Sequence, residues 1–351
     1  MVSIHKELEQ LALDFLGHQP EIVNLQGDGS ERKIYRMFPK EHRLKSLIGV
    51  YHSDLLENEA FIYLTKRMRA LGLPAPEIYS LSKETSCYLL EDLGEHTLAE
   101  KVKEWNAQGD TTRVLEAYKQ VIDLMPLMQE NLPELLGNFL QYRQMGHPSY
   151  VADILYFQDN FLGQFELLDF FTSKVVMELQ AHLIEPLADL ETNYFVFRDF
   201  QARNIMWDHE KISLIDYQSA MLGSRYYDLA SLLYGSQAGL SVAQREVLLR
   251  YFFDKVKPEK KFDLFEEHFY LFVLLRRLRS LGSYGYLSQQ KNKRGFFPAI
   301  QPTLEELVQL CRTKKAFYPF EYLYWMILEI QAQWPEVENR IREANPTAVM
   351  T

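Results

Sequence analysis

Three polar residues in the middle of the chain have the types and spacing that phosphoryl transfer requires. Asp199 and Asn204 lie in one short polar segment, and Asp216 stands at the end of an apolar run further along. A carboxylate can orient and deprotonate an acceptor hydroxyl, while amide and carboxylate oxygens are ligands that Mg²⁺ accepts. These residues therefore indicate a site with one acid-base residue and two metal ligands.

The sequence around these residues predicts how they are brought together. It reads as an apolar run, a polar loop, a short strand NIMW, a DHEK turn and a second strand ISLI that ends at Asp216. Because such a hairpin returns the chain to the loop where it began, we expect Asp199, Asn204 and Asp216 to lie at one edge.

The N-terminal part predicts a small antiparallel sheet with one inserted helix. Segments of strand character are IVNLQ, KIYRMF, SLIGVY, EIYSL and SCYLLEDL. The inserted helix runs from about Asp54 to Leu71, where Gly72 and two prolines follow. Its predicted apolar face consists of Leu56, Ala60, Leu64 and Met68. An amphipathic helix precedes the sheet at the N-terminus, with Ile4, Leu8, Leu11 and Phe15 at helical spacing.

Beyond Gly94 the apolar residues follow a helical period. The predicted helical segments are 97–107, 111–130, 150–190, 226–234, 242–255, 262–282 and 318–342. The stretch from Gly282 to Thr303 is predicted to be a long loop. The fold class is therefore α+β, with a small N-terminal lobe of residues 1–92 and a larger, mainly helical C-terminal lobe of residues 93–351.

Composition limits the classes of partner. A chain of 351 residues with 47% hydrophobic residues can bury a large core, and its formal charge of −10 argues against nucleic-acid binding by bulk electrostatics. The N-terminus lacks the layout of a signal peptide, and no apolar run approaches the roughly 20 residues that cross a bilayer. Two cysteines without metal-ligand spacing suggest no disulfide framework. We expect a cytoplasmic protein with a small-molecule substrate and no membrane partner; the oligomeric state is left open.

The spacing of Asp199, Asn204 and Asp216 resembles that of the protein-kinase-like superfamily. The longer string RDFQARNIM…LIDYQSA…GSRYYDLASLL is similar to the aminoglycoside-phosphotransferase branch. Within it, the chain most resembles bacterial kinases that phosphorylate the anomeric hydroxyl of N-acetylmuramate and N-acetylglucosamine in cell-wall recycling. The resemblance implies a bilobal protein-kinase-like fold, ATP and Mg²⁺ as cofactors, Asp199 as the catalytic base, and Asn204 and Asp216 as metal ligands.

Two N-terminal segments are candidates for binding the nucleotide. A turn between the first two strands offers backbone N–H groups to phosphate oxygens, although an ordinary hairpin turn explains it equally well from the residues alone. The resembling kinases carry a similar turn there. That turn consists of Gly27, Asp28, Gly29 and Ser30. Where the lobes should join, Glu91 and Leu93 are expected to contact adenine.

The sequence departs from the protein-kinase pattern at the third strand, SLIGVYHSD, which contains no lysine to hold the phosphates. Glu57 and Glu59 on the following helix therefore have no evident partner. Glu59 is a candidate residue of the cofactor site. Either a neighbouring cation reaches the phosphates, or the turn and the metal hold them alone. The neighbouring candidates are Arg32, Lys33 and Lys45.

Two further residues have expected roles. Phe197 stands where the family usually has a histidine, whose role there is mainly packing. Asp228 is expected to cap the N-terminus of its helix and, as the resemblance implies, to hold the catalytic loop.

The acceptor is left open by the residues themselves. Arg203, or a residue of the Lys291–Arg294 segment, is nominated to bind the lactyl carboxylate of N-acetylmuramate, and Arg203 fits a structural ion pair equally well. An aminoglycoside or a choline-like amine is an alternative acceptor. A regulatory pseudokinase is the alternative from another class, although the complete set of Asp199, Asn204 and Asp216 argues against it.

Overall fold

The structure is a computed structural model that describes residues 5–25, 32–40, 43–140, 143–291 and 293–344. The chain divides into two compact units. The first comprises Met1–Leu140 and Phe197–Ala220, and the second comprises Gln141–Val196 and Met221–Thr351. The lobe boundary after residue 92 stays a prediction.

In the part of the chain that the structure describes, the strands form one five-stranded sheet and two two-stranded sheets, all antiparallel. The large sheet has the order β1-β2-β3-β5-β4, and β6 pairs with β9 while β7 pairs with β8. The bounds are β1 (Glu21–Leu25), β2 (Lys33–Phe38), β3 (Leu47–Tyr51), β4 (Ile78–Leu81), β5 (Cys87–Glu91), β6 (Tyr194–Val196), β7 (Ile205–Asp208), β8 (Lys211–Leu214) and β9 (Met221–Gly223). The five N-terminal strands and the β7–β8 hairpin are thus confirmed.

Helices make up most of the remaining chain. Their bounds are α1 (Lys6–Leu16), α2 (Leu55–Ala70), α3 (Leu98–Gln108), α4 (Thr111–Leu136), α5 (His147–Phe157), α6 (Ser173–Leu179), α7 (Glu185–Ala188), α8 (Tyr226–Tyr234), α9 (Val242–Val256), α10 (Phe262–Gly285), α11 (Ile300–Thr313) and α12 (Glu321–Ala344). The single helical region predicted over 150–190 is divided between α5, α6 and α7, with shorter helical turns between them. Among the described helices, none is long and apolar enough to cross a membrane.

In the first unit, α1 covers one face of the sheet. Leu8 and Ala12 of α1 form a buried cluster with Tyr35 and Met37 of β2 and Leu89 of β5. Side chains alternate along a strand, so the other face of the sheet carries the intervening residues of β2 and β3. That second face of the sheet adjoins the candidate active site.

Helix α2 begins where Asp54 caps its N-terminus, since the Asp54 side chain accepts a hydrogen bond from the Glu57 N–H at 3.0 Å. Ala60, Leu64 and Met68 are buried as predicted, but Leu56 is 75% exposed. Each step of four residues turns the side chain about 40° around a helix of 3.6 residues per turn. Leu56, at one end of that row, therefore turns out of the packed face.

In the second unit, α10 packs against α5 and α8, and a buried arginine ties it to α11. Arg277 donates to Tyr234 O at 2.8 Å and to Thr303 Oγ1 at 2.9 Å, and its Nε lies 2.8 Å from Glu306 Oε2. Each donor nitrogen of this buried guanidinium thus has an oxygen beside it, as a buried charge requires.

The loop predicted from Gly282 to Thr303 is wrong. Helix α10 continues to Gly285, a π-helical turn spans Tyr286–Gln290, and α11 begins at Ile300. The glycines do not end the helix. They allow it to approach a neighbouring segment closely, since a Cβ on Gly282 would lie 2.7 Å from Tyr156 Cδ1.

Candidate active site

The loop that carries Asp199 is anchored by aromatic packing. Phe197 is fully buried, with its ring centroid 5.1 Å from that of Phe200 and 5.7 Å from that of Tyr217. Phe197 thus fills the packing role that was expected of a histidine at this position. Between these anchors Arg198 has a φ of 78°, a left-handed conformation that is costly for a residue with a Cβ. Backbone strain is therefore present beside the candidate base.

Asp199 is oriented by three neighbours from its own loop. Asn204 Nδ2 donates to Asp199 Oδ2 at 3.0 Å and to its backbone oxygen at 2.9 Å. Arg203 Nη2 lies 3.1 Å from Asp199 Oδ2, and Gln201 Nε2 donates to Oδ1. The Asp199 side chain is still 28% exposed. The carboxylate is thus held in place and remains accessible.

The hairpin brings Asp216 to the end of this loop. Asn204 O accepts a hydrogen bond from Ile215 N at 3.1 Å, so Asn204 contacts Asp199 through its side chain and the residue before Asp216 through its backbone. Asp216 has a φ of 68°, and its Oδ1 accepts a hydrogen bond from Gln218 Nε2 at 2.8 Å. The three residues named from the sequence are therefore brought together around Asn204.

The donor atoms at this edge suit a magnesium ion. Asn204 uses its amide nitrogen to bind Asp199, which leaves the amide oxygen Oδ1 available to a metal ion. Gln218 and Arg32 both contact Asp216 Oδ1, and the Asp216 side chain is 40% exposed, which leaves Oδ2 available as a second oxygen. Mg²⁺ prefers oxygen ligands and usually retains water and phosphate oxygens in its remaining positions. Asn204 and Asp216 together fit this ion.

An arginine that does not belong to the third strand approaches the Asp216 carboxylate. Arg32, directly before β2, places Nη1 3.4 Å from Asp216 Oδ1 and Nη2 3.0 Å from Glu57 Oε1. Gln218 Nε2 also donates to Glu57 Oε1 at 3.0 Å. Glu57 therefore has the partner that the sequence left unidentified, and that partner is Arg32. Glu59 is exposed on the same helix, and its role in binding a cofactor stays a prediction.

The segment after β5 is held by Arg36 on β2. Arg36 Nε lies 2.8 Å from Asp92 Oδ2, and its Nη2 donates to Gly94 O at 2.7 Å. A cavity of about 410 Å³ lies beside this segment, lined in part by Arg36, Glu91 and Asp92. The N–H of Glu91 already donates to Glu77 O at 2.9 Å. Contacts of Glu91 and Leu93 with adenine stay predictions, and the turn residues Gly27, Asp28, Gly29 and Ser30 lie outside the described residues.

Sequence reasoning missed the bond that joins α2 to the segment after Asp216. Tyr217 is buried, its hydroxyl lies 2.5 Å from Thr65 Oγ1, and its ring stacks on Phe61 with centroids 5.1 Å apart. Burial raises the pKa of the Tyr217 phenol. No spacing signal could reveal this pair, because its members are far apart in the chain.

The predicted capping role of Asp228 is wrong. Helix α8 starts at Tyr226 with Arg225 in the N-cap position, so Asp228 lies inside its first turn. Asp228 is 1% exposed. A carboxylate in the first turn still interacts favourably with the helix dipole.

Comparison with known proteins identifies the family to which the chain belongs. The profile of the Phosphotransferase enzyme family (APH) matches residues 49–262. A curated relative, the N-acetylmuramate/N-acetylglucosamine kinase of Neisseria meningitidis serogroup B, is 26% identical over 269 residues, which cover 73% of this chain and 75% of the relative.

Solved structures share the fold at low sequence identity. The gentamicin complex of APH(2")-IIa has a TM-score of 0.62 at 12% identity, covering 91% of this chain and 99% of that one. The ternary complex of the same enzyme with streptomycin and ATP has a TM-score of 0.57, also at 12% identity, covering 86% and 97%. Choline kinase LicA from Streptococcus pneumoniae has a TM-score of 0.55 at 13% identity, covering 82% and 93%.

The chain therefore belongs to the Phosphotransferase enzyme family and has the protein-kinase-like fold. It is a kinase that transfers a phosphoryl group to a hydroxyl acceptor.

Proposed function

We propose that this kinase uses ATP and Mg²⁺ to phosphorylate the anomeric hydroxyl of N-acetylmuramate or N-acetylglucosamine. The observation that carries the proposal is the arrangement of Asp199, Asn204 and Asp216 around one loop and hairpin. A structurally similar enzyme binds ATP, and the curated relative is named for these two sugars. In this proposal the protein is cytoplasmic and acts in cell-wall recycling.

Asp199 is the base in this proposal. It orients the acceptor hydroxyl and takes its proton, while Asn204 and Arg203 keep its Oδ2 fixed. Asn204 Oδ1 and Asp216 Oδ2 would hold Mg²⁺, which compensates the charge of the phosphate oxygens when it is bound. Little covalent chemistry is asked of the protein, because positioning and charge compensation account for most of phosphoryl-transfer catalysis.

An anomeric hydroxyl suits a base of this kind. It is more acidic than an ordinary alcohol, and the transition state of phosphoryl transfer is loose, so a carboxylate supplies enough activation. An ordinary alcohol would require stronger activation from the same carboxylate.

The lactyl carboxylate of N-acetylmuramate requires a cation, and Arg203 is our candidate. Its guanidinium lies at Asp199 Oδ2, and its side chain is 32% exposed. A guanidinium has five N–H donors, so binding Asp199 leaves others for a second carboxylate. The Lys291–Arg294 segment is the alternative source of this cation.

Two other functions remain in competition. An aminoglycoside or choline would be the acceptor if the fold neighbours were also functional relatives, since these neighbours bind gentamicin and are named for choline. A regulatory pseudokinase would bind nucleotide without turnover. The ion pair between Arg32 and Glu57 weakens that reading, because it supplies a cation where the third strand has none.

The test is ATP consumption with a panel of acceptors, followed by phosphorus NMR of the product. We expect turnover with N-acetylmuramate or N-acetylglucosamine and a phosphate attached to C1. A 6-phosphate, or turnover of only an aminoglycoside or choline, would overturn the acceptor and leave the kinase assignment intact. Thermal stabilisation by MgATP without turnover of any acceptor would favour the pseudokinase.

A further inference from the structure

We propose that Arg32 is the cation that contacts the phosphates of the bound nucleotide, in place of a lysine on the third strand, and that Glu57 positions it. This inference rests on the proposed function only in requiring that the protein binds ATP. It does not depend on which acceptor receives the phosphate.

The third strand offers no cation on the relevant face. Helix α1 covers one face of the sheet, and the opposite face of β3 carries Ile48 and Val50, both apolar. Val50 is 4% exposed and pairs with Ile34 of β2. This face of β3 therefore carries neither a lysine nor an arginine.

Arg32 enters this face from the neighbouring strand. It lies two residues before Ile34, and side chains two apart along an extended chain point to the same face. Since Ile34 pairs with Val50, Arg32 lies near the place that a third-strand lysine would serve. Its side chain is 8% exposed, so the guanidinium is fixed by its surroundings.

The contacts of Arg32 reproduce a cation held between a helix glutamate and a metal-binding aspartate. Nη2 lies 3.0 Å from Glu57 Oε1, and Nη1 donates to Asp216 Oδ1 at 3.4 Å. His52 Nδ1, 3.5 Å from Glu57 Oε2, stands on the other side of the glutamate. The guanidinium thus lies between Glu57 and Asp216, where a phosphate oxygen of a nucleotide bound beside Asp216 would come within its reach.

The two lysines named from the sequence are placed elsewhere. Lys33 is exposed and its Nζ lies 5.9 Å from the centroid of the Tyr51 ring. Lys45 is exposed before β3 and lines the cavity beside Glu91 and Asp92. Lys33 therefore serves as a matched control for the removal of a positive charge from the same sheet.

The experiment compares the affinities of MgATP and adenosine for the wild type, Arg32→Gln, Arg32→Lys and Lys33→Gln by titration calorimetry. A hydrogen bond to a charged group contributes a net amount that corresponds to about 10- to 100-fold in affinity. We expect Arg32→Gln to weaken MgATP by this factor and to leave adenosine, which has no phosphate, within about twofold. Arg32→Lys should recover part of the loss, and Lys33→Gln should bind both ligands like the wild type.

A purely structural ion pair predicts a different pattern. Loss of MgATP and adenosine affinity by the same factor, or unchanged MgATP affinity in Arg32→Gln, would overturn the inference while the wild type still binds nucleotide. If Arg32→Gln does not fold, Glu57→Gln carries the test, and weaker binding of MgATP with unchanged affinity for adenosine would support the role of Arg32. Equal loss of both ligands in Glu57→Gln would contradict it. A wild-type protein that does not bind MgATP at all would overturn the proposed function itself.

Discussion

Two charged clusters lie at opposite ends of the stretch from Asp199 to Asp216, and they are built differently. Three partners of Asp199 come from its own loop, at positions 201, 203 and 204. The partners of Asp216 include Arg32, 184 residues away, which also binds Glu57. The first cluster is a property of one short segment, whereas the second depends on how the sheet, α2 and the hairpin pack.

The arginines of the two clusters differ in the same way. Arg203 is 32% exposed and follows Asp199 by four positions, whereas Arg32 is 8% exposed and lies between two carboxylates. An exposed local pair contributes little to stability, while the removal of one member of a buried cluster leaves uncompensated charge. Because the first cluster contains the proposed base and the second contains a proposed metal ligand, we expect the first to affect chemistry and the second to affect nucleotide and metal binding.

The largest effect is expected for Asp199→Asn. Loss of a general base typically lowers the rate by about 10²–10⁴, so kcat should fall by that factor while MgATP affinity stays nearly unchanged. Steady-state kinetics with calorimetry measure both quantities. Asp254→Asn, at an exposed position of α9, is the matched control and should retain turnover. Near-normal turnover in Asp199→Asn would remove this residue from the mechanism.

Asp216→Ala should weaken the binding of Mg²⁺ and ATP, and it should leave the proposed base Asp199 in place. Even a group that only orients a metal ligand is worth roughly 10- to 100-fold in metal affinity, so losing the ligand itself should cost at least that much. ATP should then bind no more tightly with Mg²⁺ than without it. Titration of ATP at several Mg²⁺ concentrations measures this difference. A wild-type dependence on Mg²⁺ would show that Asp216 is not a ligand.

Arg203→Gln separates the two arginines. Removing one charge-assisted hydrogen bond to Asp199 should lower kcat by about tenfold, with MgATP affinity kept, which is the reverse of the pattern expected for Arg32→Gln. If Arg203 also binds the lactyl carboxylate, the KM for N-acetylmuramate should rise while that for N-acetylglucosamine stays constant. A rise for both sugars would argue against that contact.

The difference between the clusters also explains what the sequence could predict. Asp199, Asn204 and Asp216 lie on a loop and hairpin whose pattern is visible in the residues, and their convergence is confirmed as geometry. Arg32 could be named only as one of three cations, because no local signal says which side chain of a strand reaches a distant helix. The continuous helix through Gly282 was missed for a related reason: close packing against Tyr156, rather than local propensity, requires a glycine there.

The smallest effect should come from Tyr217, which joins the Asp216 cluster to α2 through an uncharged bond. Thr65 Oγ1 donates to Phe61 O at 2.6 Å, so its single proton is used there and the Tyr217 hydroxyl is the donor to Thr65. Tyr217→Phe removes one donor and leaves Thr65 bonded. We therefore expect a loss of only about 1 kcal/mol in the free energy of unfolding at neutral pH.

The pH dependence of stability provides the sharper test of Tyr217. Burial raises its folded pKa above the ordinary value of 10.0, so its contribution is complete below pH 10 and decreases as the pH rises further, where the unfolded phenol ionises first. The Tyr217→Phe variant lacks this term, and its stability should fall less steeply above pH 10 than that of the wild type. Urea unfolding at pH 7 to 11 measures both curves, with Tyr318→Phe, whose side chain is 65% exposed, as the control. Parallel curves for the wild type and Tyr217→Phe would mean that this phenol ionises as readily in the folded chain as in the unfolded one, and that the link between α2 and Asp216 is not buried.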